Sequence, residues 1–532
     1  MAPALSHTAV LLSLVIFLRT TTAHLNFHSL GNIQARSFTM PQPFEVFAGS
    51  LGLAAVDAEK LEAALANASS PACTAAQVLL GSEIVDTSPL NETAVDANWS
   101  EACWEQPGCI IQPRTASDVA TALKIIKQFG APFAVRSGGH SPNPGFSSIQ
   151  GGILLDLSTL DSISVSEDRE TAIIGPGQRW GSVYDALDPY NVSVIGGRIP
   201  HVGVGGLILG GGYFHFSPKY GLAADNVKSF EVVLADGTIT AASATENSDL
   251  FWALKGGGPN FGIVTSYELY TIPVRNIYYE VLVVGNENAH AVLDAFALWQ
   301  NTTGATDTNG SVGLALGLQS ITLGFVYSEP SAERPAAFSA FSDITPLVTA
   351  VPPTNGTVAS LSVLLSMSDG PGRHDYRATA TKIDAQLYKD VYDFWLAEAT
   401  AVNAATGANQ TFALQPIPPA LSEASAAKGG NSMGIPQENH MWWTTLIDWE
   451  NAADDDAVRN VSISTEAKWK ELGKERGLSL DYLYTNDASR DQSPIATHGQ
   501  DNIAKLKAIA LKYDPDRVFQ TLQNDGFLLS KA

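Results

Sequence analysis

Arg136-Ser137-Gly138-Gly139-His140-Ser141 is the stretch of this 532-residue chain whose residue types and order could do chemistry. It follows an apolar run, Ala131 to Val135, that reads as a short buried strand. Gly138 and Gly139 lack Cβ atoms, so the backbone there can turn sharply and approach a ligand closely. His140 then leaves the loop with a nucleophilic imidazole. A Gly-Gly-His on its own is usually a turn whose histidine is satisfied locally, because short motifs recur by chance. Three further segments weigh against that reading here.

The first is Val202-Gly203-Val204-Gly205-Gly206 with Gly210-Gly211-Gly212-Tyr213 close behind. Glycine at this density argues against a good helix, since each costs about 1 kcal/mol against alanine. It suits backbone that wraps a flat, charged ligand with its N–H groups. A Rossmann turn is the competitor, with Asp225 as the distant acid. Gly210 to Gly212 would break its helix in the first turns, which disfavours it. Next, Asp249 to Leu254 reads as a short helix running through Lys255-Gly256-Gly257-Gly258-Pro259-Asn260-Phe261-Gly262 into a strand from Ile263 to Tyr267. The last segment lies near the C-terminus: Tyr482-Leu483-Tyr484-Thr485-Asn486, His498-Gly499-Gln500-Asp501-Asn502, and a helix from Asn502 to Lys512 stopped by Pro515.

In this order the segments resemble the berberine-bridge-enzyme-like branch of the flavin-linked oxidases, whose flavin domain is of the vanillyl-alcohol-oxidase type. The likeness is strongest from Cys109 to Ile272 and from Tyr482 to Phe519. It implies an α+β, two-domain FAD-linked oxidase fold. The flavin domain would be built from N- and C-terminal segments, and the substrate domain from a large antiparallel sheet backed by helices. It implies FAD as cofactor, held covalently through its 8α-methyl group by His140. Arg136, Ser137, Gly138, Gly139 and Ser141 would form the pyrophosphate turn. Gly197, Val202, Gly203, Gly205, Gly206, Gly210, Gly211 and Gly212 would line the flavin. Asn260, Gly262, Ile263 and Val264 would contact its adenosine side, and Tyr484 and Asn486 match a Tyr-x-Asn near the isoalloxazine ring.

One departure matters. Many members attach the flavin a second time through a cysteine, and the matching position holds Ile199. A thioether is impossible there, so a single link at His140 is expected, and a carbohydrate oxidase of the doubly linked kind becomes the runner-up. Three residues on, the family tends to pair a small residue with oxygen reactivity. Val202 leans that way, although it also reads as a plain strand residue.

For the group that takes a proton from substrate, Tyr484 is the first candidate, against the alternative of a buried tyrosine whose hydroxyl is simply satisfied. His440 is the second, on an expected strand Asn439 to Thr444. Alternation puts His440, Trp442 and Thr444 on one face and Asn439, Met441 and Trp443 on the other. The two tryptophans read as core or as an aromatic wall.

The elements that must carry these residues are short. Strand, helix and strand are expected over Cys109–Gln112, Ala116–Phe129 and Pro132–Val135. Strands follow at Gly152–Leu157, Ser162–Ser166 and Thr171–Gly175, then a hairpin over Glu231–Ala241 turning at Asp236-Gly237. The pattern changes after residue 275, with longer alternating runs such as Tyr278–Val284. The expected division is therefore a signal segment over 1–23 and a flavin domain over 24–275, with its core at 105–275. A substrate domain over 276–479 follows, and a closing segment over 480–532 completes the flavin domain.

The apolar run Ala9 to Leu18 followed by Thr21-Thr22-Ala23 reads as a secretory signal, and it is too short to span a bilayer. Nine Asn-x-Ser/Thr sequons, at Asn67, Asn91, Asn98, Asn191, Asn301, Asn309, Asn355, Asn409 and Asn460, point to a secreted protein carrying N-glycans. Of the three cysteines, Cys73 with Cys109 is the pairing the resemblance implies, and Cys103 with Cys109 competes. No histidines flank them at metal-ligand spacing, so no metal is expected. A net charge of −23 disfavours nucleic acid or anionic membrane as partner. Small-molecule substrate and O2 are the expected partners. The competing class is a flavin-bearing protein without redox turnover, a cyclase or a silent binder.

Overall fold

Thr115 begins the first layer. Its hydroxyl accepts from the Asp118 N–H while the Asp118 carboxylate accepts from the Thr115 N–H, and this reciprocal cap starts the helix Ala116–Phe129. Gly130, with φ near 56°, ends it. The helix buries Val119, Leu123 and Ile126 and carries the chain from the strand Cys109–Ile111 to Phe133–Arg136. Both of those strands run parallel to Ile153–Asp156, and Val85–Thr87 adds an antiparallel edge. The computed structural model describes residues 42–66, 68–366 and 372–532. The signal reading over 1–23 and the sequon at Asn67 lie outside the described residues.

A second, antiparallel sheet has the order Ile163–Val165, Thr171–Ile174, Ile263–Ile272, Val227–Val233, Ile239–Ser243, with Ser193–Val194 also pairing the central strand. Its hairpin turns at Asp236-Gly237 as the sequence predicts. The third sheet has eight antiparallel strands in the order Val348–Thr357, Asn276–Gly285, Ser320–Tyr327, Gly310–Leu316, Asn409–Ile417, His440–Trp449, Arg373–Lys382, Ser479–Leu480. The helices Ala289–Asn301, Ala385–Thr406 and Asp455–Arg476 back one of its faces. Trp395, Trp443 and Trp469 pack with Phe412 in that core. Truncating any of these tryptophans costs about 3–5 kcal/mol. The other face of the sheet carries shorter or polar side chains, among them Gly313, Thr322, Ala413, Gln415 and Thr444, and it borders open space.

The C-terminal segment returns to the first layer. Phe133 N–H donates to Leu522 O, and Asn524 N–H donates to Phe133 O. Gln500–Tyr513 is the expected helix, packing on Ser248–Leu254. The disulfide is Cys73–Cys109, joining the helix Pro71–Leu80 to the first strand, and Cys103 is a buried free thiol. The glycine-dense stretch differs from expectation: Val204–Leu209 is helical, although only six residues long. Gly205 inside it lies against the Ser137 side chain, where a Cβ would come within 2.9 Å of Oγ. Asp225 belongs to no Rossmann unit. It is buried, accepting from Leu222 N–H, Ser425 and Asn431. Asn98 is corrected as a sequon, since its buried side chain donates to Ser147 and accepts from Arg136 and cannot carry a glycan. No helix of the described residues is long and apolar enough to cross a membrane.

Candidate active site

Between the glycine loops and the open face of the eight-stranded sheet lies a cleft of about 1530 Å³. Pockets for drug-sized ligands run to about 300–1,000 Å³, so the cleft has room for a dinucleotide and a second small molecule. The strand Phe133–Arg136 delivers the Ser137–Ser141 loop to its wall. Gly138 and Gly203 meet there backbone to backbone, since a Cβ on Gly138 would stand 2.4 Å from the Gly203 Cα. Ser137 ties the two loops, donating to Pro176 O and accepting from Gly205 N–H at 3.2 Å. At Gly206 a Cβ would meet no protein atom within 4 Å, although the residue borders the cleft. Its bareness leaves space for a ligand rather than for packing.

His140 stands at the end of this wall. Its Nδ1 is 3.0 Å from the Tyr376 hydroxyl, and its Nε2 is shut off from solvent without a hydrogen-bond partner. Burial, with His201, Arg179 and His374 nearby, holds its pKa well below the usual histidine range, so the imidazole is neutral. Trp99 is stacked between His140 at 4.3 Å and His374 at 3.9 Å. His374 in turn is fixed through Nδ1 by Asp448 at 2.7 Å.

Ser137, Gly138, Gly139, His140, Ser141, Val202, Gly203, Gly205, Gly206, Gly210, Gly262, Ile263, Val264, Tyr484 and Asn486 all border the cleft, as does Ile199. Five expected cofactor contacts stand behind its wall instead. Arg136 is buried, held by Asp156 at 2.9 Å, by Asn98 and by the Ala94 carbonyl, so it props the loop. Gly197 leaves space for Trp180 and accepts from the Tyr184 hydroxyl. Gly211 and Gly212 adopt positive φ in a turn packed against Met433, Leu207 and Ala223. Asn260 is fully buried and ties down the C-terminal residues, donating to Phe527 O and accepting from Leu529 N–H and Gln520.

The two proton-acceptor candidates part company. The Tyr484 hydroxyl accepts from the N–H groups of Gly212 and Tyr213, each at 2.9 Å, and from Asn486 at 3.1 Å. Its ring stacks on Trp442 at 4.4 Å, and burial raises its pKa. It therefore braces the 210–213 turn. His440 does not border the cleft: Nδ1 engages Glu438 O and Nε2 accepts from Trp442 Nε1. Burial takes its pKa down to about 4. The expected alternation does hold, with Trp442 on the Tyr484 side and Met441 and Trp443 in the helix-backed core.

Sequence reasoning missed Trp99, Tyr376 and the His374–Asp448 pair, which no motif marks and which meet only through the third sheet. It also missed Arg198, Gln415 and Asp487. Arg198 and Asp487 directly adjoin Ile199 and Asn486, both of which the sequence had singled out. Gln415 donates to Asp487 at 2.6 Å and accepts from Arg198, whose guanidinium lies 5.0 Å from the Tyr213 ring centre.

A bare-backbone wall, a neutral histidine with an unpartnered nitrogen and room for a dinucleotide define a site suited to FAD. Residues 107–243 match the FAD binding domain family. An FAD-dependent monooxygenase of Arthrobotrys oligospora is 38% identical over 463 residues, covering 86% of this chain and 89% of that protein. The bifunctional solanapyrone synthase of Alternaria solani is 34% identical, covering 82% and 84%. Among solved structures, the glucooligosaccharide oxidase of Acremonium strictum, described with a 6-S-cysteinyl, 8α-N1-histidyl FAD, has the same fold. It is 21% identical with a TM-score of 0.70, covering 86% of this chain and 97% of that one. The chain belongs to the FAD-dependent oxidoreductase family of these relatives, and FAD is its cofactor. It shares its fold with berberine bridge enzyme.

Proposed function

We propose that this enzyme oxidises a small organic alcohol, amine or secondary-metabolite substrate, with FAD held by a single covalent bond to His140 and O2 as final electron acceptor, giving hydrogen peroxide. The observation that carries the reading is the half-buried, neutral His140 imidazole, whose solvent-shielded Nε2 has no protein partner at the end of a glycine-bordered cleft. FAD, when bound, supplies a two-electron acceptor for the hydride leaving a substrate C–H. The chain's own part is to hold and orient. Ser137 to Ser141 and Val202 to Gly206 form one wall, and the strands Asn409–Ile417 and His440–Trp449 present Gln415 and Thr444 to the other. Ile199 supplies no sulfur, which favours a single link and disfavours a doubly linked carbohydrate oxidase. We read residues 24–275 and 480–532 as the flavin domain and 276–479 as the substrate domain. The disulfide and the exposed sequons at Asn91, Asn191, Asn301, Asn355, Asn409 and Asn460 support a secreted glycoprotein.

The relatives, an FAD-dependent monooxygenase and a bifunctional solanapyrone synthase, favour a second reading, in which the same cleft inserts oxygen or completes a synthase step. Product mass separates the possibilities when the enzyme meets a panel of alcohols, amines and polyketide-like compounds. Loss of two hydrogens with matching peroxide is the expected result. Gain of one oxygen without peroxide, or an isomer of unchanged mass, would replace it with the second reading.

A further inference from the structure

Asp487 lies directly after Asn486 in the short helical turn Thr485–Asp487 and borders the cleft, as do Arg198 and Gln415. Its Oδ2 accepts from Gln415 Nε2 at 2.6 Å. The other end of that amide, Oε1, accepts from Arg198, so the amide cannot turn over without facing a guanidinium with its own N–H groups. Asp487 Oδ1 accepts no hydrogen bond from a described side chain or backbone group. The arrangement is a carboxylate fixed by one oxygen, with the other left for a ligand.

We propose that Asp487 is the proton acceptor of the reaction, taking the proton from the substrate hydroxyl or amine, with Gln415 and Arg198 as positioning residues. This rests on the reading of the cleft as an oxidation site. The substrate O–H or N–H bond breaks and its proton goes to the Asp487 carboxylate. Its electron pair would form the C=O or C=N bond as the carbon gives up hydride, for which bound FAD would supply the two-electron acceptor and O2 the final oxidant. Asp487 returns the proton to solvent. Three other candidates are committed elsewhere. The Tyr484 oxygen already receives three N–H donors, His440 lies off the cleft, and His374 is held by Asp448 in the Trp99 stack beside His140.

Burial raises the Asp487 pKa to about 6, with Arg198 and the Gln415 hydrogen bond opposing. A base needs a pKa near its working pH, and this one is available above about 6. The groups facing it are Arg198 from the loop before Ile199, the neutral Gln415 from the sheet, and Tyr482 and Tyr484 from its own segment. The pKa values of both tyrosines are raised, chiefly by burial.

The test uses flavin-loaded Asp487→Asn beside wild type and Gln415→Leu. The expected Asp487→Asn protein keeps its flavin through acid precipitation yet loses about 10²–10⁴-fold in kcat/KM. The wild-type profile falls off on the acid side near pH 6, and Gln415→Leu moves that limb to higher pH because the carboxylate loses a donor. Infrared difference spectra against pH, taken without substrate, should contain a titrating carboxyl band that Asp487→Asn lacks. Turnover of Asp487→Asn at the wild-type rate, or identical infrared titrations in the two proteins, would overturn the proposal while leaving the flavin reading intact. Loss of flavin from Asp487→Asn would make the residue structural and overturn it too. A wild type without flavin would instead sink the reading on which the proposal rests.

Discussion

The two walls of the cleft are built on different principles. The loop wall, from Ser137 to Ser141 and Val202 to Gly206, is mostly bare backbone and small side chains ending at His140. The sheet wall is a lattice of side chains, with Gln415, Thr444, His374 and Tyr376 projecting from three neighbouring strands. An unvarying ligand such as FAD can be met by backbone N–H groups and by the absence of Cβ atoms, and both leave a mark in sequence as glycine. A substrate is met by side-chain chemistry spread over strands distant in sequence, which leaves no contiguous motif.

The loop wall breaks most readily. Gly206→Phe fills the space at a position where a Cβ meets no protein atom. Bound flavin should fall by more than about tenfold while the flavin-free protein melts within a few degrees of wild type. A large loss of stability would mean that Gly206 is packed rather than open. Next, Gly138→Ala forces a Cβ onto the Gly203 backbone. A cost of about 1–3 kcal/mol in unfolding free energy is expected, because neither backbone can yield cheaply.

The sheet wall should respond in substrate terms only. Thr444 borders the cleft and its Oγ1 is buried without a partner. Thr444→Val should change KM for the true substrate several-fold, leave flavin content alone and leave stability within about 1 kcal/mol. A change in flavin content would place Thr444 on the wrong wall.

An effect visible only against pH belongs to the histidines behind the wall. Burial lowers the pKa of both His440 and His498 from 6.5 to about 4. Their neutral forms favour the folded state above the unfolded value, and that contribution is lost as pH falls from about 6.5 towards 4. Each is worth on the order of 1–3 kcal/mol across that window. Melting temperature against pH should drop there, and His440→Gln should flatten part of the drop without altering turnover at neutral pH.

The same contrast explains what could be read from the chain. The strand–helix–strand start, the Asp236-Gly237 hairpin and the helix before Pro515 were legible because caps, turn dipeptides and periodicity act locally. So was the loop wall, apart from residues that share a motif without sharing its surface. Arg136, Gly197, Gly211, Gly212 and Asn260 sit within or beside the glycine segments but serve the packing behind the cleft. Sequence spacing alone cannot say which side of a loop faces a ligand. The partners of His140 were illegible for another reason. Trp99 and His140 come from loops that pack against the strand carrying His374 and Tyr376, more than two hundred residues away in sequence.

The central claim is that His140 holds the flavin covalently. Acid precipitation of wild type and His140→Ala, followed by peptide mass analysis of the pellets, tests it most directly. Yellow colour retained only by wild type, with the mass of FAD added to the peptide containing His140, is the predicted result. Flavin released into the supernatant from wild type, or retained equally by His140→Ala, would contradict it.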